Sequence, residues 1–273
     1  MPRTYADLPD VPLHEAIPRG REDVEFFSHY FLRRKLHEGQ AEWIRSAQAT
    51  INVLPTGNRY GKTSSLAVQH LHSGFYKIGA EPFYMIERNE RIRGLELETL
   101  GDYRTPADYR FDVQRYLETK YYTVHTAGLW DQAKLTWEDC LKIVNESSRI
   151  QPFISDMPRT LPPHIAFQNG SRVLFRTLGD NGEGIDGHSF YLVSIDEAGW
   201  ITNLEYILMN VARLRVADVR GRIAIVGTMK PGISRDFYRY ARRAAISTGR
   251  KVIFDHRDGR DYSGERRRAQ QVA

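Results

Sequence analysis

Two short stretches of the sequence carry residue types suited to phosphate chemistry. The first runs from 57 to 63 and ends in the Gly-Lys-Thr triplet of a phosphate-binding loop. In such a loop the backbone N–H groups surround phosphate oxygens, the lysine reaches the outer phosphates and the threonine hydroxyl ligates Mg²⁺. The usual spacing would put a glycine at Thr56, so this loop is a variant. The candidate phosphate ligands are Gly57, Asn58, Arg59, Tyr60, Gly61, Lys62 and Thr63.

The second stretch, FYLVSIDEAGW, places Asp196 and Glu197 directly after an apolar run. An aspartate at the carboxyl end of such a strand can support the Mg²⁺ shell. The next glutamate can orient and activate a water for attack on a γ-phosphate, whereas a kinase must keep water out. The pair therefore predicts hydrolysis, with Asp196 at the metal and Glu197 as the catalytic carboxylate.

Two further residues fit a nucleotide site less specifically. Thr228 ends the run RIAIVGT, a position typical of a polar group that contacts the γ-phosphate from a neighbouring strand. Gln40, in LHEGQAEWI, has an amide that can hydrogen-bond the edge of adenine. An ordinary strand-to-loop turn explains Thr228 equally well, and a glutamine on a surface helix is the default interpretation of Gln40.

Regular elements must bring these residues together. The segment TINVL (50–54) predicts a buried strand before the loop, and TSSLAVQHLHSG predicts a helix after it that ends at Gly74. The apolar runs at 190–195 and 222–228 predict parallel strands that are covered on both faces. Because the carboxyl ends of parallel strands lie at one edge of a sheet, the candidate residues should meet there.

The remaining pattern alternates strands and helices. Asn169-Gly170 between two apolar runs predicts a β-hairpin. Further strands are predicted at 81–86 and 251–255, and helices at 107–120, 136–147, 203–215 and 234–245. An aromatic stripe (Phe26, Phe27, Tyr30 and Phe31) predicts another helix. The predicted fold is a three-layer α/β P-loop NTPase of the ASCE type, with a mostly parallel sheet and an antiparallel hairpin.

Composition limits the class of protein. The chain has 273 residues, 41% of them hydrophobic, with net charge +5 and a pI near 9.2. This indicates a globular protein, and the mild basic excess permits a polyanionic partner without requiring one. The single cysteine, Cys140, excludes an internal disulfide and lies in an amphipathic helical pattern as a core residue. No signal-peptide or membrane-span pattern is found, so a reducing cytosol is expected.

Taken with their order and spacing, the motifs resemble the ATPase domain of the large terminase subunits of tailed bacteriophages, relatives of superfamily 2 helicases. The resemblance covers about residues 35–258. It lies in LHEGQAEWI, in the loop GNRYGKT with arginine at 59, in FQNGSRVLF, in GIDGHSFYLVSIDEA, and in RLRVADVRGRIAIVGTMKPG followed by SRDFYRYA.

The resemblance implies a motor that hydrolyses ATP with Mg²⁺ and drives double-stranded DNA through a portal into a procapsid. It implies a homo-oligomeric ring, a portal protein and a small terminase subunit as partners, and work in the cytoplasm of an infected bacterium, without a membrane. Carried over by position, Lys62 and Thr63 bind phosphate and Mg²⁺, Asp196 supports Mg²⁺, Glu197 is catalytic, Thr228 lies in the coupling motif and Gln40 reads adenine.

The sequence departs from the family at one position. The family usually has an arginine just before the glycine that precedes the Asp-Glu strand. Here the residues are Asp186-Gly187. Because an arginine finger contributes roughly 10³ to 10⁵ in rate, another residue must supply the charge. The candidates are Arg172, Arg176 and Arg213, with Arg59 acting in cis.

The domain organisation is expected to be an N-terminal arm (1–20), the ATPase domain (21–258) and a polar tail or linker (259–273). The two-metal nuclease domain of large terminases does not fit in the chain. Asp255, Asp258 and Asp261 lie in a polar stretch and indicate a solvated linker rather than a metal site.

DNA contacts are expected to be made to phosphates, and so to be sensitive to salt and blind to sequence. The basic candidates are Arg213, Arg215, Arg220 and Arg222, then Arg235, Arg239, Arg242 and Arg243, and finally the arginines at 266–268. Solvated helix faces and subunit contacts explain these clusters equally well.

Other functions remain open. A P-loop phosphotransferase would share the loop, although Glu197 after Asp196 speaks against it. A helicase-like nucleic-acid ATPase outside packaging would share every motif. A nucleotide-binding scaffold would bind ATP equally well with and without Glu197 and would never hydrolyse it.

Overall fold

The computed structural model describes residues 11–57, 60–80, 119–158, 162–229 and 234–248. Within these ranges seven strands form one sheet in the order β1-β7-β6-β2-β5-β4-β3. The strands are β1 (Ile51–Thr56), β2 (Tyr121–Ala127), β3 (Ile154–Asp156), β4 (His164–Phe167), β5 (Ser171–Thr177), β6 (Leu192–Asp196) and β7 (Arg222–Thr228). The first five strands in this order, β1, β7, β6, β2 and β5, are parallel to one another. Strands β4 and β3 add an antiparallel edge.

Helices cover both faces of the sheet. They are α1 (Leu13–Glu22), α2 (Val24–Tyr30), α3 (Glu38–Ser46), α4 (Lys62–Tyr76), α5 (Trp130–Glu146), α6 (Leu204–Tyr206), α7 (Arg213–Ala217) and α8 (Arg235–Thr248). Short 3₁₀ turns lie at Gln151–Phe153, Glu183–Ile185 and Ala198–Trp200.

Two apolar cores lie on opposite faces of the sheet. Side chains alternate between the faces of a strand, so Val226 of β7 packs in one core while Ile225 packs in the other. The first core holds α2 to α5, including Phe27 and Trp137. The second holds α6 to α8, including Phe237. The predicted three-layer α/β fold with a mostly parallel sheet is confirmed.

The N-terminal segment differs from its prediction. Residues 13–20, expected to be part of an extended arm, lie in α1, where Ala16 and Gly20 are buried. Asp23 ends α1 and begins α2, since its side chain accepts hydrogen bonds from the N–H groups of Glu25 and Phe26 at 3.0 Å. The predicted aromatic stripe is buried in the first core.

The predicted end of α4 at Gly74 is wrong, because the helix continues to Tyr76. Gly74 is required for another reason: a Cβ atom there would lie 2.7 Å from the ring of Phe167. The hairpin predicted at Asn169-Gly170 joins β4 and β5 and is confirmed. The Asn169 amide donates hydrogen bonds to the carbonyls of Gly74 and Phe75, at 3.1 and 2.9 Å, so the hairpin holds the end of α4.

Other boundaries also shift. The strand predicted at 190–195 is β6, and the helix predicted from 136 begins at Trp130. The helix predicted at 203–215 contains a π-helical segment, Ile207–Ala212, between α6 and α7. Strand β2 and the short strand β3 were missed. The elements predicted at 81–86, 107–118 and 251–255 lie outside the described residues, and residues 119–120, at the end of the second, are not helical.

Across the described ranges, no helix is both long and apolar enough to cross a membrane. Cys140 is buried in α5, and burial raises the pKa of its thiol, as expected of a core residue.

Candidate nucleotide-binding site

The candidate residues lie at the carboxyl edge of the sheet, where three adjacent parallel strands end. Thr56 of β1 lies beside Thr228 of β7 in the strand register. Next to β7, strand β6 ends at Asp196. The loop after β1 leads into α4, so the edge of the sheet and the amino end of a 15-residue helix face the same region.

The amino group of Lys62 joins the loop to the sheet. Its Nζ donates to Thr228 Oγ1 at 2.8 Å and to the carbonyl of Gly57 at 3.1 Å. The side chain is buried, and its charge offsets part of the rise that burial causes in the pKa of Asp196. The structure therefore brings together Gly57, Lys62, Thr228 and Asp196, which are far apart in the sequence.

The shape of the loop depends on Gly61. This residue has φ of 87° at the N-cap of α4, a conformation that costs other residues about 1–2 kcal/mol. A Cβ atom at Gly61 would also collide with the side-chain amide of Gln40. Both observations favour glycine at this position, since glycine has no Cβ.

Helix α3 supports the loop from outside. The Gln40 amide donates to the Gly61 carbonyl at 3.0 Å, and its oxygen accepts from the N–H of His37, also at 3.0 Å. The ring of His37 contacts the carbonyl of Tyr60 at 2.8 Å and packs edge-on against its ring. Both ends of the Gln40 amide thus have partners within the protein. Its role toward adenine stays a prediction.

Asp196 is a buried carboxyl group with few partners. It is 5% exposed and accepts a hydrogen bond from the N–H of Glu197 at 2.7 Å. Burial raises its pKa to about 6, and the Glu197 N–H and the charge of Lys62 offset only part of that effect. A cation beside Asp196 would stabilise the charged form.

Glu197 has an unusual backbone. Its φ of 48° and ψ of 36° lie in the left-handed region, where residues other than glycine, asparagine and aspartate are uncommon. The side chain is half-buried. Such backbone strain, about 1–3 kcal/mol, collects at functional sites.

The residues fit a nucleotide with Mg²⁺. Thr56 Oγ1 is buried and lacks a hydrogen-bond partner among the described residues, although it lies next to the loop. Lys62 and the half-buried Thr63 lie at the amino end of α4, where positive potential and free N–H groups favour phosphate. Asn58 and Arg59 lie outside the described residues.

A metal ion would need the nucleotide to complete its shell. In the part of the chain that the structure describes, no group of three or more His, Cys, Asp or Glu residues could hold a metal alone. Mg²⁺ commonly uses one or two protein ligands together with phosphate oxygens and waters. Asp196 and the hydroxyl of Thr63 suit that pattern.

The candidate arginines lie at different edges. Arg172 lies near the amino end of β5, while Arg176 lies near its carboxyl end, in register with Thr126 of β2. The Arg176 guanidinium donates to the carbonyls of Gly184 and Asp186 at 3.2 and 3.4 Å, so it holds the turn before β6. Arg213 is exposed at the start of α7.

Asp186, which stands where an arginine was expected, has a basic partner in the fold. Its carboxylate lies 2.8 Å from the guanidinium of Arg215 on α7. This position therefore carries a negative charge that is paired with the positive charge of Arg215. Both side chains are about half-exposed.

The basic clusters predicted for DNA divide into different settings. Arg222 donates to the carbonyl of Ala47 and to Gln48, at 2.9 and 2.7 Å. Arg239 lies within 4 Å of Glu205 and Asp236. The exposed members are Arg213, Arg220, Arg235, Arg239, Arg242 and Arg243, and residues 266–268 lie outside the described residues.

Sequence reasoning missed two contributors to the site. Thr56 was noted only as a missing glycine, although its hydroxyl is buried without a hydrogen-bond partner among the described residues. His37 carried a usable signal, since it precedes Gln40 by three residues and forms a capping box with it.

Comparison with known proteins places the fold. No protein-family model matches the chain, and no curated protein matches it. The ATPase domain of the large terminase of Thermus phage P74-26, solved both unmodified and as an arginine-to-alanine mutant, superposes with a TM-score of 0.52 at 16% identity. The match covers 79% of this chain and 72% of that domain.

The large terminase of bacteriophage HK97 superposes with a TM-score of 0.57 at 14% identity. This match covers 86% of the chain but only 43% of the HK97 protein. The chain therefore has the fold of phage large terminase ATPase domains.

Proposed function

We propose that this protein is a Mg²⁺-dependent ATPase that drives double-stranded DNA into a viral procapsid. The observation that carries the ATPase proposal is the convergence of Lys62, Thr228 and Asp196 at one sheet edge, with Glu197 next in the chain. A lysine amine, a hydroxyl and a buried carboxylate at the amino end of a helix suit a nucleoside triphosphate and its metal.

The loop and α4 bind the phosphates in this proposal. Backbone N–H groups of 57–63 surround them, and Lys62 exchanges part of its contact with Gly57 for phosphate oxygens. Thr63 and Asp196 would hold Mg²⁺, which would supply positive charge to the phosphates when bound. Thr228, which contacts the Lys62 amine, would contact the γ-phosphate.

Glu197 orients the attacking water and accepts its proton. Its left-handed backbone turns the chain sharply after Asp196, so the two consecutive carboxylates can serve different partners. Asp196 remains at the metal while Glu197 faces the water. Positive charge for the transition state comes from Arg59 in cis, or from an arginine of a neighbouring subunit such as Arg213.

The packaging role rests on the shared fold. The matched structures are a large terminase and the ATPase domain of another. In this role the protein forms a ring, works with a portal protein and a small terminase subunit, and acts in the cytoplasm of an infected bacterium. The exposed arginines contact DNA phosphates. The match covers less than half the length of the HK97 protein.

A helicase-like ATPase outside packaging is the second candidate, because the same site would serve it. Duplex DNA distinguishes the two: a packaging motor should respond to linear duplex, whereas a helicase should respond to single strands. A P-loop kinase would instead transfer phosphate to an acceptor and would not need Glu197.

The decisive experiment measures Mg²⁺-dependent ATP turnover over a range of protein concentrations, with and without linear duplex DNA. We expect Glu197→Gln to bind ATP normally but to lose turnover by about 10²–10⁴. Glu138→Gln, an exposed carboxylate on α5, is the matched control and should behave like the wild type.

Turnover that rises more steeply than protein concentration would indicate that a neighbouring subunit completes the site. Linear turnover would favour Arg59. Equal turnover in the wild type and Glu197→Gln would overturn the mechanism.

A further inference from the structure

A chain of buried polar side chains links α4 to the strand that carries Asp196. His70 of α4 contacts Ser194 of β6, with 2.6 Å between Nε2 and Oγ. His125 of β2 contacts the same hydroxyl through Nδ1 at 2.8 Å. On its other side, His70 Nδ1 lies 3.0 Å from Thr123 Oγ1. All four side chains are fully buried.

One ring nitrogen of His125 indicates which group is the donor in each of these hydrogen bonds. His125 Nε2 is buried without a partner among the described residues, so the favoured tautomer carries its proton on Nδ1. His125 then donates to Ser194, and the Ser194 hydroxyl donates to His70 Nε2. The remaining proton of His70, on Nδ1, goes to Thr123.

This arrangement requires both histidines to be neutral, and burial ensures it. Burial lowers the pKa of His125 to about 3 and that of His70 well below its ordinary value. His70 Nε2 is therefore free to accept a hydrogen bond from the Ser194 hydroxyl over the whole neutral range.

The chain lies between the two halves of the candidate site. Lys62 and Thr63 begin α4, and His70 follows Lys62 by eight residues, about 12 Å along the helix axis. Ser194 precedes Asp196 by two residues, about 6.6 Å, so the two side chains point to the same face of the sheet. In the strand register, His125 and Ala127 lie beside Ser194 and Asp196.

A buried polar chain of this kind adds little net stability, since an apolar set of similar shape can be equally stable. It adds geometric specificity. A hydrogen bond is favourable only within a narrow range of distance and angle, whereas apolar side chains can slide past one another. The contact between His70 and Ser194 therefore fixes how far α4 can shift along β6.

We propose that His70, Ser194 and His125 are positioning residues that set the separation between Lys62–Thr63 and Asp196, and so the geometry in which Mg²⁺ and phosphate are held together. This rests on the proposed ATPase function. None of the three side chains touches the nucleotide; each acts through the elements that do.

Two variants break the chain. Ser194→Ala removes the shared hydroxyl, and His70→Leu removes the link to α4. His70→Gln should restore function, because its side-chain amide can place an acceptor near Ser194. The matched control is Thr126→Val, since the Thr126 hydroxyl is equally buried and donates to the carbonyl of Ser194 at 2.9 Å. Side chains alternate along β2, so Thr126 lies on the opposite face of the sheet from His125.

The readouts separate positioning from stability. In Ser194→Ala and His70→Leu we expect the Mg²⁺ concentration for half-maximal turnover to rise, or kcat to fall, by about 10- to 100-fold, as for residues that orient metal ligands. Nucleotide affinity without Mg²⁺ should stay within about 2-fold of the wild type. His70→Gln should recover most of the loss, and Thr126→Val should keep wild-type Mg²⁺ dependence.

Equal Mg²⁺ dependence in Thr126→Val and Ser194→Ala would overturn the proposal, because any lost buried hydrogen bond would then suffice. If the wild type binds nucleotide but does not hydrolyse it, the ATPase proposal fails. The positioning proposal is then tested by the dependence of nucleotide affinity on Mg²⁺ concentration, measured at equilibrium in the same variants.

A third measurement does not depend on nucleotide. The ¹⁵N shifts of the histidine rings report which nitrogen carries the proton, and they should show protonated Nδ1 in both His70 and His125. Ser194→Ala should move the signals of both rings. A proton on Nε2 of His70, or no response to Ser194→Ala, would contradict the hydrogen-bond network of His70, Ser194 and His125. This test holds even if the protein binds no nucleotide.

Discussion

Two buried polar regions lie two residues apart on β6, and they differ in how completely their partners are supplied. At Ser194, the hydroxyl meets two histidines and the carbonyl meets Thr126. At Asp196, one backbone N–H is the hydrogen-bond donor, and burial raises the pKa of the carboxyl group. We call the region around Ser194 saturated, because protein groups supply its hydrogen-bond partners. We call the region around Asp196 open, because its carboxyl group can take further partners.

The difference also appears in the atoms without partners. Among the described residues, the unpaired atom of the saturated region is His125 Nε2, which carries no proton in the favoured tautomer. In the open region it is the hydroxyl of Thr56, which has a proton to donate. A saturated polar region fixes geometry, whereas an open one favours an outside ligand. Three predictions test this distinction.

The largest effect is expected from Lys62→Met. The amine reaches the open region and has charged hydrogen bonds to offer to phosphate, each worth about 1.5–3 kcal/mol. ATP affinity should fall about 100-fold or more. Lys134→Met, which removes an exposed lysine paired with Glu138, is the control and should leave affinity unchanged. Calorimetric titration with ATP in Mg²⁺ provides the measurement; wild-type affinity in Lys62→Met would remove the loop from the site.

The second prediction uses pH, because the two regions should respond with opposite sign. The Asp196 pKa is raised from 3.8 to about 6 in the folded protein, so its stabilising effect is complete below 3.8 and is lost as pH rises through 6. Asp196→Asn should therefore increase the free energy of unfolding of the ligand-free protein at pH 8, by up to about 3 kcal/mol.

The buried histidines act in the other direction. Their pKa values are lowered, so their contribution is complete above 6.5 and is lost as pH falls toward about 3 for His125. Each contributes a slope of at most about 1.4 kcal/mol per pH unit. Urea unfolding at pH 8, 7, 6 and 5 measures both effects. An Asp196→Asn protein less stable than the wild type at pH 8 would show that Asp196 is already compensated.

The smallest effect separates loop geometry from backbone strain. Gly61 and Gly187 have similar φ values, 87° and 92°, but a Cβ at Gly61 meets Gln40 while nothing lies within 4 Å of one at Gly187. Both alanine variants should lose about 1–2 kcal/mol of stability from the left-handed backbone. Gly61→Ala alone should also weaken ATP binding, as measured by titration. Equal ATP affinities in the two variants would mean that the contact with Gln40 does not shape the loop.

The open region was largely predictable from the sequence, and the saturated one was not. Loop residues, the Asp-Glu pair and their strands are close in sequence to the elements that position them, so local pattern sufficed. His70 and Ser194 are 124 positions apart and lie within apolar runs, where a lone polar residue gives no sign of its partner. Strand β2, YYTVHTA, was missed because its polar residues break the apolar run, and two of those residues, His125 and Thr126, contact Ser194 of β6.

The same limit explains the errors in boundaries. Gly74 has the sequence pattern of a helix end, but its lack of a side chain serves the ring of Phe167 instead. The π-helical segment Ile207–Ala212 lies within an ordinary helical periodicity. The pairing of Asp186 with Arg215 joins residues 29 positions apart, which only the folded chain brings together.

The backbone of Glu197 has a consequence for protein engineering. A design procedure that ranks residues by stability alone would replace this left-handed glutamate with glycine, which removes the strain. It would gain about 1–2 kcal/mol and delete the proposed catalytic carboxylate in the same step. Libraries made to raise the melting temperature of this fold should therefore hold position 197 constant, because a substitution that favours thermostability there would also remove the proposed activity.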